Sequence, residues 1–482
     1  MHLPSPVKLP VFFSVLLAAL FFAAPAQAQT QSSTANAGMP AGAVQPAVKV
    51  LADASYTYAL YLPSQYSPQK RWPVLLAFDP SGEGEYPVRL FQPAAEKYGF
   101  ILVGSNNSRN FVDPSAAIRL LWHDVTTRYA VDPRRVYATG FSGGSRVASG
   151  LAIGCKNCLA GVIACGAGLP PGVGLPAADT ADWFLAAGTL DFNYAEMIQL
   201  ADSLDSRHAA THLAFFPGPH HWMSAAVAEE ALAWMHLRAI AKGTAPVDKD
   251  FVEREFNRQV LAAQALEQSG NTVGAFRAYR QIANDFRLLR DVKDVQAKQD
   301  ALAKSDELKR SRKNEQALFE LQDKTSVRIN SITNAIINKD KPTGILYHDL
   351  ELLTAEIRHD RDTTQDTARR DALVRGMAGA FAYARETGSD DLLKKDYVPA
   401  RDLFRATAIM RPEAAWPHYL IALAAARLGE NKLALEELGK SVDMGLDDPQ
   451  LFESAELDPL RGNDAFKGIS ARLAHNAAKS SN

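Results

Sequence analysis

One ten-residue segment explains more of this sequence than any other: residues 136–145 read Val-Tyr-Ala-Thr-Gly-Phe-Ser-Gly-Gly-Ser. Its first half is apolar, aromatic or β-branched, which predicts a buried strand. Its second half gives Gly140-x-Ser142-x-Gly144, and small, helix-compatible residues follow. A strand, a tight Gly-x-Ser-x-Gly turn and a helix together form a nucleophile elbow. We therefore predict that Ser142 is a nucleophile at a helix N-terminus, where the helix dipole favours the negative charge of acyl transfer.

The composition limits the classes of protein to consider. The chain has 482 residues, of which 47% are hydrophobic and 22% are charged. These values are typical of a globular protein of about two or three domains. The formal net charge is -2 and no basic stripe is present, so we expect no nucleic-acid partner. We also expect neither a metal nor a cofactor, since the cysteines lack further zinc ligands nearby.

The N-terminus has the pattern of a signal peptide over residues 1–28. Lys8 gives a positive start, an apolar run covers 11–24, and Ala26-Gln-Ala28 is a small-x-small cleavage site. The apolar run is short for a transmembrane helix, so we expect no membrane anchor. Residues 29–47 are rich in Ser, Ala, Gly and Pro, which predicts a flexible linker. The mature protein is thus expected in the periplasm or outside the cell.

The chain contains three cysteines, Cys155, Cys158 and Cys165. An exported chain meets oxidising conditions, so one disulfide with one thiol left over is expected. Cys165 ends an apolar run and is predicted to be a buried thiol. A local disulfide between Cys155 and Cys158 is favoured over a redox or zinc motif.

Between residues 48 and 242, short apolar segments alternate with helical patterns. This alternation predicts a parallel sheet with helices on both faces. Combined with the nucleophile elbow, it leads us to expect an α/β-hydrolase catalytic domain over these residues. The predicted strands cover 56–62, 72–78, 100–103, the elbow strand, 159–165, 183–188 and 211–216. Two predicted helices cover 88–98 and 114–129, a third begins at about 193, and a fourth runs from 224 to about 241.

The composition changes after residue 246, which predicts an all-α domain over 247–482. Residues 276–341 contain no Gly and no Pro, so long helices are expected there. Two helix pairs place Gly five residues before Ala, at Gly270 and Ala275 and again at Gly429 and Ala434. This spacing resembles the tetratricopeptide repeat, and a generic helical bundle is the alternative. A stacked helical repeat would provide a groove for a protein partner.

An α/β-hydrolase carries its triad in the chain order serine, acid, histidine. After Ser142, the acid that follows a predicted strand is Asp191, whereas Asp182 precedes that strand. The next strand is followed by His220 and His221, either of which can serve as the base. The histidine takes the serine proton, and the aspartate fixes its tautomer.

The oxyanion hole requires two backbone N–H groups. One is that of Gly143, directly after the nucleophile. The other should come from the loop after the strand 72–78. Because Pro80 has no N–H, Ser81 is the predicted donor, with Gly82 second.

Residues 48–242 resemble secreted α/β-hydrolases of the polyhydroxybutyrate depolymerase and feruloyl esterase type. The resemblance lies in Asp-Pro-Arg-Arg-Val-Tyr-Ala-Thr-Gly-Phe-Ser-Gly-Gly at 132–144, in the Asp191 loop, and in Gly-x-His-x-Trp at 218–222. It implies that His220 is the base and that an ester is the substrate. Those enzymes usually carry His-Gly where this chain has Asp79-Pro80. Phe141 and Trp222 are candidates for an aromatic substrate pocket, although core packing explains them equally well.

The sequence therefore predicts an exported serine hydrolase, a carboxylic ester hydrolase that uses Ser142, His220 and Asp191 through an acyl-enzyme. Two alternatives stay open. One is a serine peptidase of the same fold. The other is a catalytically weak hydrolase domain that serves a protein-binding helical module, which the Asp79-Pro80 loop favours.

Overall fold

The computed structural model describes residues 39–176 and 181–480. The predicted signal peptide and most of the predicted linker lie outside the described residues. The chain divides into two compact units, one ending at Gln316 and the other beginning at Ala317. The strands of the first unit are β1 (Val44–Lys49), β2 (Thr57–Tyr61), β3 (Trp72–Phe78), β4 (Ile101–Ser105), β5 (Val131–Phe141), β6 (Gly161–Cys165), β7 (Asp182–Gly188) and β8 (Thr211–Phe216).

The helices fall into two groups. Those that lie wholly in the first unit are α1 (Glu85–Tyr98), α2 (Ser115–Arg128), α3 (Gly143–Gly154), α4 (Tyr194–Ser206), α5 (Ala225–Ala241), α6 (Lys249–Gln268), α7 (Thr272–Phe286) and α8 (Lys293–Lys304). The long helix α9 (Asp306–Asn338) begins in the first unit. The second unit continues with α10 (Thr343–Thr363), α11 (Thr367–Leu393), α12 (Tyr397–Met410), α13 (Ala415–Arg427), α14 (Asn431–Asp443), two 3₁₀ helices (Pro449–Glu453 and Ala455–Leu460) and α15 (Asp464–Ser480).

The eight strands form one sheet in the order β1-β2-β4-β3-β5-β6-β7-β8. β2 pairs antiparallel with β1 and with β4, and all pairs from β3 to β8 are parallel. This is the strand order of the α/β-hydrolase fold, and a large helical region follows it. The predicted fold class is confirmed.

The sheet is buried on both faces, as continuous apolar strands require. Every residue of β3 and of β7 is buried. Side chains of α1 and α5 form one aromatic and aliphatic cluster with one face of the sheet. Successive residues of a strand point to opposite faces, so the remaining buried strand residues lie under the other helices. Because β5 to β8 are parallel, the carboxyl ends of β5, β7 and β8 lie at the same edge of the sheet.

The predicted linker, residues 29–47, extends too far. β1 begins at Val44 and pairs with β2, with Val44 opposite Tyr61 and Lys49 opposite Thr57. β1 is an edge strand, with a neighbouring strand on one side only. Such a strand tolerates Pro46, because the missing N–H can fall on the side that has no neighbouring strand. The proline and alanines of this segment hide the strand pattern in the sequence.

Helices α6 to α8 pack within the first unit. Leu237 and Ile240 of α5 share an apolar cluster with Phe251 of α6 and with Tyr279 and Phe286 of α7. The first helices after residue 247 thus cover an apolar face of α5.

Both predicted helix pairs are present in the structure. Gly270 lies between α6 and α7 with φ +76°, and Gly429 lies between α13 and α14 with φ +74°. A left-handed conformation at the end of a helix is the position that glycine favours. Ala275 and Ala434 are completely buried. The tetratricopeptide resemblance and a protein partner for this region stay predictions.

The cysteines behave as the spacing predicts. A disulfide joins Cys155 and Cys158 at the end of α3. Cys165 is a free, buried thiol at the end of β6, and burial raises its pKa. Among the described residues, no helix is both long enough and apolar enough to cross a membrane.

Candidate active site

Ser142 lies at the sharp turn between β5 and α3. Its backbone has φ 53° and ψ -120°, outside the regions that non-glycine residues ordinarily adopt. Two backbone hydrogen bonds hold the turn: the Ser142 N–H donates to the Cys165 carbonyl at 2.9 Å, and the Ser142 carbonyl accepts from the Arg146 N–H at 3.1 Å. The serine thus stands at the N-terminus of α3, as the elbow pattern predicts.

The two outer glycines of the elbow are required by close backbone contacts. A Cβ on Gly140 would lie 2.1 Å from the Gly144 carbonyl oxygen. A Cβ on Gly144 would lie 2.0 Å from the carbonyl oxygen of Phe78 in β3. Any side chain at these positions would therefore push the helix away from the sheet and displace Ser142.

The structure brings Ser142, His220 and Asp191 together. His220 Nε2 is 2.9 Å from Ser142 Oγ, and His220 Nδ1 is 2.9 Å from each carboxylate oxygen of Asp191. Asp191 follows β7 and is completely buried, and it also accepts the Asn193 N–H at 2.8 Å. These contacts let the Asp191 carboxylate fix the Nδ1–H tautomer, which leaves Nε2 to accept the serine proton.

Two phenylalanine rings fix the plane of the His220 imidazole. The ring centre of Phe141 lies 4.5 Å from that of His220, and Phe192 packs at 4.2 Å. Phe192 is missing from the predicted site, although its place directly after Asp191 is a sequence signal. His221 is exposed and bonds through Nδ1 to the Trp222 carbonyl. The two adjacent histidines thus have different surroundings, and His220 is the one that contacts serine and acid.

Trp222 does not line an open pocket, contrary to its prediction as a substrate-binding residue. Its side chain is 6% exposed, and its Nε1–H donates to Asp79 Oδ2 at 2.7 Å. Phe141 is half-buried and packs between Trp222, at 5.8 Å, and His220. Gly-x-His-x-Trp is therefore a structural motif here as well as a chemical one. Trp222 packs against Phe141, and Phe141 packs against His220.

The two predicted oxyanion donors, the N–H groups of Gly143 and Ser81, differ in whether they already have a hydrogen-bond partner. Gly143 is the first residue of α3, and the first N–H groups of a helix have no partner within the helix. Ser81, by contrast, donates its N–H to Asp79 Oδ1 at 2.8 Å, and Gly82 donates to the Asp79 carbonyl at 3.1 Å. The Asp79 side chain thus accepts the Ser81 N–H, which the sequence analysis predicted to bind the oxyanion. Ser81 is thus not placed as a free donor.

No known family model matches this chain, and no curated protein matches it. Solved structures match over part of it. An S-formylglutathione hydrolase from Staphylococcus aureus is 12% identical with a TM-score of 0.31, over 38% of this chain and 90% of its own. An esterase from Pyrobaculum calidifontis is 14% identical with a TM-score of 0.34, over 42% and 87%. An esterase from Thermogutta terrifontis is 17% identical with a TM-score of 0.34, over 43% and 97%. These distant likenesses cover less than half of the chain.

Proposed function

We propose that this chain is a serine hydrolase that cleaves carboxylic esters through an acyl-enzyme. One observation carries the proposal: an unbroken series of contacts runs from Ser142 Oγ through both nitrogens of His220 to the buried carboxylate of Asp191, each at 2.9 Å. Three residues from three separate loops meet in the arrangement that nucleophilic acyl transfer requires.

The mechanism follows from these positions. Ser142 Oγ attacks the ester carbonyl carbon while His220 Nε2 takes the hydroxyl proton. Asp191 stabilises the imidazolium that forms. The Gly143 N–H and the N-terminus of α3 stabilise the negative charge on the carbonyl oxygen. His220 then protonates the leaving alkoxide, and a water molecule activated by the same histidine releases the acid from Ser142.

Esters are proposed rather than amides because of the resemblance of residues 132–144 and 218–222 to secreted esterases. The surface beside the site supports an apolar substrate group. Phe111 and Val112 are 42% and 40% exposed, on the loop between β4 and α2. The preceding residue of that loop, Asn110, lies against Gly143. An apolar acyl or alcohol group that reached Ser142 could bury part of both side chains.

Export to the periplasm or the medium is part of the proposal. It rests on the signal-peptide pattern of residues 1–28, and the disulfide between Cys155 and Cys158 supports it because such bonds persist in oxidising compartments. Expression of the full chain in a bacterial host with N-terminal sequencing tests it. We expect the mature protein to begin at Gln29, and an uncleaved cytoplasmic protein would contradict export.

The hydrolase proposal is tested by replacing the nucleophile. Ser142→Ala should lower kcat for p-nitrophenyl butyrate by about 10⁴-fold or more, since the loss of one triad member removes the nucleophilic route. Ser149→Ala is a matched control on the same helix, because Ser149 Oγ is buried without a hydrogen-bond partner among the described residues. The control should keep wild-type activity. A folded Ser142→Ala protein with wild-type activity would contradict the proposal.

A further inference from the structure

In the turn after β3, the backbone N–H groups of residues 81–84 all point at acceptors within the protein. Pro80 has none, Ser81 and Gly82 donate to Asp79, and Gly84 donates to Asn106 Oδ1 at 3.1 Å. The N–H of the remaining residue, Glu83, points at Asp79 Oδ1 at 3.5 Å. Backbone donors are obligatory hydrogen-bonding groups, and these already have partners. None of these four N–H groups is therefore a free oxyanion donor.

The Asp79 carboxylate that holds this turn is firmly fixed. It is 7% exposed, and its other oxygen accepts the indole N–H of Trp222. Hydrogen bonds to an ionised carboxylate are stronger than those between neutral groups. Freeing the Ser81 N–H would leave part of a buried carboxylate unpaired, which is costly. These contacts therefore hold the turn in this arrangement.

Asn110 lies beside the other donor. Its backbone N–H donates to the Pro80 carbonyl at 2.8 Å, which ties the loop between β4 and α2 to the same turn. Its side-chain Oδ1 lies 1.9 Å from the point that a Cβ on Gly143 would occupy, and Nδ2 lies 3.3 Å from that point. The side-chain amide is half-buried, and within the described ranges it makes no hydrogen bond. The amide therefore occupies the space next to Gly143 that any side chain would fill.

We propose that the side-chain amide of Asn110 is the second oxyanion donor. This inference rests on the proposed function. A half-turn about the terminal side-chain bond exchanges Oδ1 and Nδ2, so an N–H can face the oxygen that the Gly143 N–H binds. As the bond from Ser142 Oγ to the carbonyl carbon forms, the π-electron pair moves to the carbonyl oxygen and the serine proton moves to His220. Asn110 Nδ2–H and the Gly143 N–H then bind that oxygen. Gly143 must be glycine because a side chain would displace Asn110.

The assignment also explains why Asp79-Pro80 is compatible with hydrolysis. Side-chain amides serve as oxyanion donors alongside backbone N–H groups in other hydrolases. With Asn110 in this role, the turn at 79–84 has a structural task only. It holds the loop of Asn110 through the Pro80 carbonyl.

Asn110→Ala tests the proposal, with Arg109→Ala as a control on the exposed neighbouring residue. Alanine keeps the backbone N–H that binds Pro80, so the loop stays tied. We expect kcat for p-nitrophenyl butyrate to fall by about 10²–10³-fold with little change in KM, as for the loss of one oxyanion donor. We expect Asn110→Asp to fall at least as far, because a carboxylate donates nothing and repels the oxyanion. Arg109→Ala should match the wild type.

Inhibitor binding separates a role in the transition state from a structural one. A trifluoromethyl ketone forms a tetrahedral adduct with the serine, and its affinity should fall in Asn110→Ala by about the same factor as kcat. The affinity of the corresponding unreactive amide should not change. A kcat within about threefold of wild type, or a rise in KM alone, would overturn the role of Asn110. If the wild type is active and Ser142→Ala is not, an unchanged kcat in Asn110→Ala overturns only the role of Asn110 and leaves the proposed function standing. A folded wild type without any Ser142-dependent hydrolysis would overturn the proposed function as well.

Discussion

The indole N–H of Trp222 donates a 2.7 Å hydrogen bond to the carboxylate of Asp79, and both side chains are buried. Trp222 follows His220 by two residues, and Asp79 follows β3 directly. The bond therefore joins the loop that carries the histidine to the turn beside the nucleophile. The same carboxylate holds the Ser81 N–H through its other oxygen. The esterases that this chain resembles usually carry histidine at position 79. The aspartate found here links the loop of His220 to the turn after β3.

Loss of this bond should destabilise the protein. Trp222→Phe keeps most of the apolar contact but leaves Asp79 Oδ2 without a buried donor. We expect the free energy of unfolding in urea to fall by about 1–3 kcal/mol. A double-mutant cycle with Asp79→Ala isolates the pair, and the two changes together should cost less than the sum of the single changes. Additive costs would show that the bond contributes nothing.

The two adjacent histidines should behave oppositely. His220→Ala should lower kcat by about 10⁴-fold, because the base that contacts Ser142 is lost. His221→Ala should keep most of the activity, since that ring is exposed and bonds to a backbone carbonyl. The measurement is hydrolysis of p-nitrophenyl butyrate by each folded variant. An inactive His221→Ala alongside an active His220→Ala would shift the catalytic assignment by one residue.

A buried histidine outside the active site predicts a pH dependence of stability. Nε2 of His212, in β8, is 3.3 Å from Glu230 Oε1, and its Nδ1 is 3.6 Å from Asp285 Oδ2. Burial by itself lowers the pKa of His212, but the two carboxylates outweigh burial and raise the pKa to about 9. Burial likewise raises the pKa of Glu230, but His212 and Arg258 outweigh it and bring the pKa to about 2. The folded protein thus holds a protonated His212 at neutral pH.

The sign of the effect follows from the raised pKa. Protonated His212 stabilises the fold fully below about pH 6.5, and this contribution is lost as the pH rises through about 9. The free energy of unfolding should therefore fall between pH 6.5 and 9.5, by about 3 kcal/mol from this residue. The test is urea unfolding of the wild type and of His212→Gln across this range. A decline of equal size in both proteins would contradict the prediction.

The same cluster predicts how the chain can be shortened. Asp285 of α7 also accepts the Trp234 indole N–H at 2.7 Å, so α7 completes a buried network of β8 and α5. Every candidate catalytic residue precedes residue 242, and on the sequence alone a fragment ending near Thr244 should fold and hydrolyse small esters. The structure favours a fragment of residues 29–316 instead. We expect the longer fragment to be soluble and active and the shorter one to aggregate, as size-exclusion chromatography would show. An equally soluble and active shorter fragment would contradict this expectation.

Much of the candidate site could be predicted because its signals are local. Ser142, Asp191 and His220 each lie within four residues of the end of a strand, so a short pattern gives both the residue and its place at the sheet edge. The parallel sheet and the helix pairs could be predicted from periodicity and from glycine positions. Each of these features depends on residues that are neighbours in the chain.

The missed features depend on contacts between distant residues. The state of the Ser81 N–H depends on the Asp79 side chain, which in turn is held by Trp222, and no local pattern records that arrangement. Asn110 reaches Gly143 because two loops meet. Asp285 lies in a segment whose composition indicates only a solvated helix, yet the residue is buried. Tertiary packing decides all three cases.

Covalent labelling tests the central claim most directly. A fluorophosphonate should form a phosphorus–oxygen bond with Ser142 Oγ and release fluoride, because His220 accepts the serine proton. Intact-mass and peptide mass spectrometry should then show a single adduct on the peptide that contains Ser142. Ser149→Ala should label as the wild type does, and Ser142→Ala should not label at all. A folded wild type that fails to label, or a Ser142→Ala variant that labels equally, would contradict the account.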